Sequence, residues 1–305
     1  MKEAIHNFVR YRDDSEAWML SRFICPASRL KELAPFGENL FAKNPPYVFS
    51  VLARSGGSGA EYTENLRKDL QDAAEFREKF HKQVRVDMLE TKFSGDIYDQ
   101  ITLHRVLRIL NETAELIDQA GPPEMTPFFE AVWDEDWEQT IPIIIEALSA
   151  LNKDLADSAG DRRCRPAGLK LRCGGLNQAD FPSPDKIGFA VTECRKAAVP
   201  LKATAGLHHP FRHLDDNIGT KMHGFINLFG AAVLSRQHDL PHAKVQEILQ
   251  DEDPSHFQFA ENELKWGDLT AQTGEIEDAR HSFFLSFGSC SFDEPRADLK
   301  SMNLL

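Results

Sequence analysis

The sequence predicts an α/β fold of the (β/α)8 TIM-barrel type: a single domain over residues 21–305 behind an N-terminal helical extension, residues 1–20. Three observations point there. Short, β-rich apolar runs alternate with longer segments of helical spacing; eight such runs can be counted; and eight strand and helix units in about 250 residues or slightly more match the size of that barrel. A doubly wound open sheet is the alternative. Against it, no Gly-x-Gly-x-x-Gly follows the first strand and no Gly-x-x-x-x-Gly-Lys-Ser/Thr occurs anywhere.

Taken in order, residues 1–20 are charged and read as helix. The candidate strands are Ser21 to Pro26, Tyr47 to Arg54, Gln83 to Glu90, Pro127 to Val132, Gly168 to Gly174, Pro200 to Gly206, His256 to Glu261 and Ser282 to Ser289. After the third, Ile97, Ile101, Leu103, Val106, Leu107, Leu110, Ala114 and Ile117 recur with the period of a helix, which Gly121-Pro122-Pro123 closes. A second helix runs from Trp137 through Ile145, Leu148 and Leu151. A third follows Pro182-Ser183-Pro184, and Thr220 to Arg236 forms a strongly apolar fourth. Ser55-Gly56-Gly57-Ser58-Gly59 lacks the lysine of a nucleotide loop and reads as a flexible connection before it reads as a phosphate loop.

Composition narrows the function. The 305 residues carry 35 Lys+Arg against 48 Asp+Glu, a formal charge of −13, which argues against a general nucleic-acid or anionic-membrane binder. With 42% hydrophobic and 27% charged residues, disordered and collagen-like classes are excluded. The cysteines, Cys25, Cys164, Cys173, Cys194 and Cys290, are odd in number and contain no CxxC pair, so neither a disulfide framework nor a zinc cluster is expected. No segment approaches the roughly 20 apolar residues of a membrane span, and no apolar leader opens the chain. The expected setting is cytoplasmic.

Side chains of a barrel strand alternate between the helix layer and the interior. In the fifth strand Leu169, Leu171 and Cys173 share one face, and Lys170 and Arg172 share the other. The sixth repeats this: Leu201, Ala203 and Ala205 face out while Lys202 and Thr204 face in. The third opposes Arg85 and Asp87 to Val84, Val86 and Met88, with Glu90 at its end. The fourth opposes Glu130 to Phe129 and Ala131. Buried charge is costly unless paired or used. Asp87, Glu130, Lys170, Arg172 and Lys202 crowding one interior therefore mark an active site more readily than a structural ion-pair layer. Barrel sites lie at the C-terminal strand ends, where Gly174, Gly175 and Gly206 stand.

A lysine is a nucleophile only as the neutral amine. An arginine two residues away, a second lysine on the next strand and desolvation all disfavour the ammonium. The expected chemistry is a Schiff base on Lys170 or Lys202 with a carbonyl substrate, the other lysine tuning it or relaying protons, and Glu130 or Asp87 as general acid/base.

Lys170-Leu171-Arg172-Cys173-Gly174-Gly175, followed by Lys202-Ala203-Thr204-Ala205-Gly206, resembles the two-lysine pattern of class I aldolases of the deoxyribose-phosphate aldolase type. The resemblance covers the stretch from Lys170 to Gly206. It implies lysines on adjacent barrel strands, with Lys170 forming the Schiff base and Lys202 tuning it. The sequence departs from the pattern after Gly206, where Leu207-His208-His209-Pro210-Phe211-Arg212-His213 follows, and two further strands come where the family has room for one.

Those histidines come directly after the sixth strand. His208 is an acid/base candidate, and His209 and His213 are substrate contacts. Metal binding is the alternative use, but Pro210 interrupts any helix that would align His209 with His213, and there is no His-Glu-x-x-His. No metal or other cofactor is expected. His223, on the apolar fourth helix, reads as a core residue. Gly288 and Ser289, before the terminal helix, are candidates for a phosphate held by backbone N–H groups, although an ordinary helix N-cap explains Asp293 and Pro295 as well. Arg29, Arg54, Arg172 and Thr204, with Gly174 and Gly175, complete the substrate-binding candidates. Cys25 and Cys173 are packing residues.

The residues together predict a cytoplasmic enzyme that makes or breaks a carbon–carbon bond in a small anionic carbonyl metabolite. That metabolite is the expected partner, with no nucleic acid or membrane, and a homo-oligomer is compatible with the sequence. Two alternatives remain: a phosphoribosyl-transfer or metal-assisted barrel enzyme using Lys and Arg to hold anions, and a barrel that binds a metabolite without turnover.

Overall fold

Each predicted strand is a strand in the structure, and all but one of them is paired in parallel. The structure is a computed structural model and describes residues 1–41, 45–158 and 162–305. Its contacts divide the chain into two units, residues 1–130 with 146–168, and residues 131–145 with 169–305.

The first unit begins with α1 (Lys2–Tyr11), followed by β1 (Phe23–Pro26), α2 (Ala34–Leu40), β2 (Tyr47–Leu52), α3 (Gly59–Phe80), β3 (Val84–Lys92), α4 (Leu103–Ala120) and β4 (Thr126–Glu130). Its strands lie in the order β1-β2-β3-β4. A helical crossover returns the chain to the same end of the sheet before each next strand, which makes the pairing parallel. Tyr47, Phe49 and Val51 alternate onto the buried face of β2, where Phe49 meets Phe76 of α3 with ring centroids 5.1 Å apart. The Ser55 to Gly59 loop is not left open for an anion. The Ser58 hydroxyl accepts from Glu61 N at 3.3 Å, the Glu61 carboxylate accepts from Gly57 N at 2.8 Å, and Gly59 N donates to Asp96 at 3.3 Å. The amides of Gly57 and Gly59 are spent on starting α3 and on the loop after β3.

The α5 helix (Trp137–Asp157) begins in the second unit and ends in the first. Then come β5 (Gly168–Arg172), α6 (Pro184–Lys196), β6 (Leu201–Thr204), β7 (His213–Asp215), β8 (Thr220–Met222), α7 (Phe225–His238), α8 (His242–Gln250), β9 (Phe257–Ala260), β10 (Glu263–Trp266), β11 (Leu269–Gln272), α9 (Thr273–Ser282), β12 (Phe284–Gly288) and α10 (Asp293–Ser301). Strands β5, β6 and β12 are parallel neighbours, and Leu169, Leu171, Leu201 and Ala203 are completely buried. Ile187, Ala190 and Val191 of α6 and Leu228, Ala231 and Ala232 of α7 supply further fully buried apolar side chains of this unit.

Two expectations are corrected here. The seventh predicted strand exists as β9, but it is antiparallel and heads a separate β9-β10-β11 sheet. Two-residue connections, Glu261-Asn262 and Gly267-Asp268, leave no length for a crossover, and Gly267 takes φ +56° at its turn. Seven parallel strands therefore stand among the described residues, so the class is α/β and an eight-stranded closed barrel is not formed. The apolar helix expected from Thr220 starts at Phe225, because Thr220–Met222 pairs with His213–Asp215 as a small antiparallel ribbon.

The strand alternation of β3 is also corrected. Phe49 pairs with Val86 and Ser50 with Met88, leaving Asp87 as a bulge residue. Beyond it the parity reverses, so Glu90 shares a face with Ser50, whose hydroxyl donates to Glu90 at 2.7 Å. No helix among the described residues is long and apolar enough to cross a membrane.

Candidate active site

Lys170 and Lys202 are register partners on β5 and β6, as are Arg172 and Thr204. Register partners on parallel strands project to the same side about 4.8 Å apart, so the two lysines stand next to each other on one face. Both are buried, Lys170 at 7% exposure and Lys202 at 1%. The opposite face carries Leu169, Leu171, Leu201 and Ala203, so the expected alternation holds in both strands. Ser286 of β12 pairs with Lys202, and Gly288 with Thr204.

The strand ends close over bare backbone. Cys173 N donates to Thr204 O at 2.8 Å, and a side chain at Gly174 would bring a Cβ to 2.9 Å from Gly206 Cα. Ala205 and Gly206 both adopt left-handed conformations, φ +63° and +69°, which turn the chain sharply out of β6. For Ala205 this costs about 1–2 kcal/mol. Gly175 lies against Asp180, whose carboxylate accepts from the amides of Leu176 and Asn177 at 2.8 and 2.9 Å. Arg172 is exposed at the end of β5, and its backbone carbonyl accepts from the Trp133 indole at 3.2 Å. Lys186 in turn donates to the Trp133 carbonyl at 3.3 Å. Trp133 and Lys186 thus border the end of β5, and neither carried a periodic signal in the sequence.

The histidine loop after β6 is fixed from below. Phe225 N donates to His209 O at 3.1 Å and Ile226 N to Pro210 O at 2.8 Å, so the loop carbonyls satisfy the first amides of α7. Asn227, fully buried, accepts from Arg212 N at 2.8 Å and donates to Ile248 O and Asp251 O at 2.9 and 2.8 Å. On this base His208 Nδ1 lies 3.1 Å from Glu294 and His209 Nδ1 lies 2.5 Å from Asp298. The His213 ring meets His209 edge-on, with centroids 4.4 Å apart, and its Nδ1 is directed at Phe211 O at 3.0 Å. Glu294 and Asp298 are one turn apart on α10, so one helix face meets both histidines.

Gly288 and Ser289 sit where expected, at the end of β12. The Ser289 hydroxyl accepts from Ser291 N and the Ser291 hydroxyl from Glu294 N, at 3.4 and 3.2 Å, and Asp293 and Glu294 make the first turn of α10 acidic. This terminus is chemically poor for phosphate.

Four predicted residues belong to the first unit, where each has a partner. Asp87 at the bulge binds Arg22 at 2.6 Å and Arg85 at 3.2 Å. Glu130 lies 3.0 Å from Lys92. Arg54 donates through its backbone and guanidinium to buried Asp69 at 2.7 to 2.9 Å, and Arg29 makes an exposed pair with Glu32 at 2.8 Å.

Burial pushes the thiols of Cys25 and Cys173 up to about 12, which suits packing and not nucleophilic attack. His223 is fully buried, held through Nε2 at 2.7 Å from Pro182 O, and burial lowers its imidazole to about 4. No protein-family model matches the chain, and no curated protein matches it.

Proposed function

We propose that the second unit carries the active centre of an enzyme that forms a lysine Schiff base with a small anionic carbonyl metabolite, and makes or breaks a carbon–carbon bond beside it. The observation that carries this reading is the in-register, buried pair Lys170 and Lys202. Lys170 keeps the greater exposure and is the nucleophile. Its neutral amine attacks the carbonyl carbon, the carbonyl oxygen departs as water, and the resulting imine, once protonated, draws electrons from the adjacent carbon–carbon bond. Lys202 stands beside it to hold or move the proton. Arg172, exposed at the strand end, is the group for a carboxylate or phosphate. Because the whole chain carries −13, an anionic substrate must be drawn by these local cations and not by the overall field. The chemistry needs only β5, β6 and β12, and does not require a closed eight-stranded barrel. Five free thiols, four of them buried, suit a reducing cytoplasmic setting.

The test is reduction with borohydride in the presence of a panel of 2-oxo acids and phosphorylated aldehydes, followed by peptide mass mapping. The expected product is an adduct on Lys170, heavier by the carbonyl compound less one oxygen atom and absent from Lys170→Arg. Binding of panel members without any adduct would overturn the Schiff base and leave the cations as anion holders.

A further inference from the structure

We infer that His208, Cys290 and Glu294 form a metal site for a zinc-type divalent ion. Their ligand atoms, an imidazole nitrogen, a thiol sulfur and a carboxylate oxygen, all lie within 4.8 Å of one another. His208 Nδ1 is 3.1 Å from Glu294 Oε2 and 3.8 Å from Cys290 Sγ. Bonds of about 2.0–2.3 Å to one tetrahedral ion place its donors roughly 3.3–3.8 Å apart, so these separations are already near the edges of a coordination polyhedron.

Three separate elements supply the donors. His208 follows β6 on the loop anchored to the start of α7, Cys290 comes two residues after β12, and Glu294 lies in the first turn of α10. The donor set selects the ion: a thiolate is a poor ligand for magnesium or calcium, while mixed sulfur, nitrogen and oxygen donors suit zinc. Three protein ligands leave a fourth position. The His208 side chain is 26% exposed and that of Glu294 56%, so solvent or a substrate oxygen can reach it. This is the pattern of a catalytic rather than a structural zinc site. His209 and His213, the other two histidines of the sequence cluster, are not members of this group. Their Nδ1 atoms face Asp298 and the Phe211 carbonyl. The site does not rest on the lysine chemistry, and its test leaves that chemistry aside.

The full chain, reduced and stripped with chelator, is titrated anaerobically with Co2+ and followed by absorption. One equivalent should bind with a thiolate-to-cobalt charge-transfer band in the near ultraviolet, and Zn2+ should abolish that band by displacement. Four of the five cysteines are buried, so the band reports Cys290. Cys290→Ser should remove it. His208→Ala and Glu294→Gln should each weaken binding by at least about tenfold, and Lys170→Ala should leave the spectrum unchanged. Absence of the band in the parent protein, its survival in Cys290→Ser, or unaltered affinity in both other variants would overturn the site.

Discussion

Both units of this chain bring opposite charges into contact, and the second also sets two buried lysines in register. In the first, opposite charges meet in short contacts: Asp87 with Arg22 and Arg85, Asp69 with Arg54, Glu130 with Lys92. In the second, beside pairs such as His208 with Glu294 and His209 with Asp298, Lys170 stands next to Lys202 across one strand pair. Opposite charges in contact offset part of the cost of burying them, whereas two lysines in register do not offset each other, and it is this juxtaposition that the proposed Schiff-base chemistry uses. The difference teaches that the count of buried charges is less informative than their signs taken pair by pair.

The contrast can be broken most severely at Asp69, which is completely buried and accepts from Arg54 N, Nε and Nη2. Asp69→Ala should destabilise the protein by about 3 kcal/mol, read from urea unfolding, by stranding those donors. Borohydride trapping at Lys170 should persist in whatever fraction stays folded; loss of trapping from folded protein would erase the distinction.

A second effect of similar order comes from His223. With its folded value near 4 and its ordinary value at 6.5, the unfolded chain takes up a proton that the native state refuses across that interval. The stability it contributes is present above pH 6.5 and is lost as pH falls toward 4, on the order of 3 kcal/mol. His223→Gln, which can still donate to the Pro182 carbonyl, should flatten the dependence in this window. An unchanged slope in parallel denaturant titrations would show that the histidine is not responsible.

The smallest effect belongs to Arg29. Its pair with Glu32 is exposed on both sides, and Arg29→Ala should leave the urea unfolding midpoint unchanged within the error of the measurement. A loss of binding of the proposed carbonyl substrate in this variant would instead support Arg29 as an anion contact.

The strands were readable because β-rich runs and helical spacing are local properties. The lysine faces of β5 and β6 were readable for the same reason, since alternation needs no knowledge of neighbours. What failed depended on partners. A single bulge residue, Asp87, reversed the face of Glu90 relative to a strict alternation. The seventh strand had the right residues but the wrong pairing, although Glu261-Asn262 and Gly267-Asp268 are turn signals that distinguish a hairpin from a crossover. The Glu294 and Asp298 partners of the histidines were hidden because the contacts span more than 80 residues, at separations of 86 and 89. The adjacency of His208 with His209 and the one-turn spacing of the two acids become meaningful only once the strands bring them together.

Gly174 and Gly206 each occupy the room a methyl would need at the other, 2.9 Å in one direction and 3.1 Å in the reverse. Enlarging either residue forces the same backbone apart, so the harm done by the first substitution is largely already suffered when the second is made, and the two are expected to be less than additive. The rim above the lysines is thereby barred from gradual tailoring by side-chain growth. Any broadening or narrowing of what the proposed centre accepts is expected to come from residues other than these two glycines.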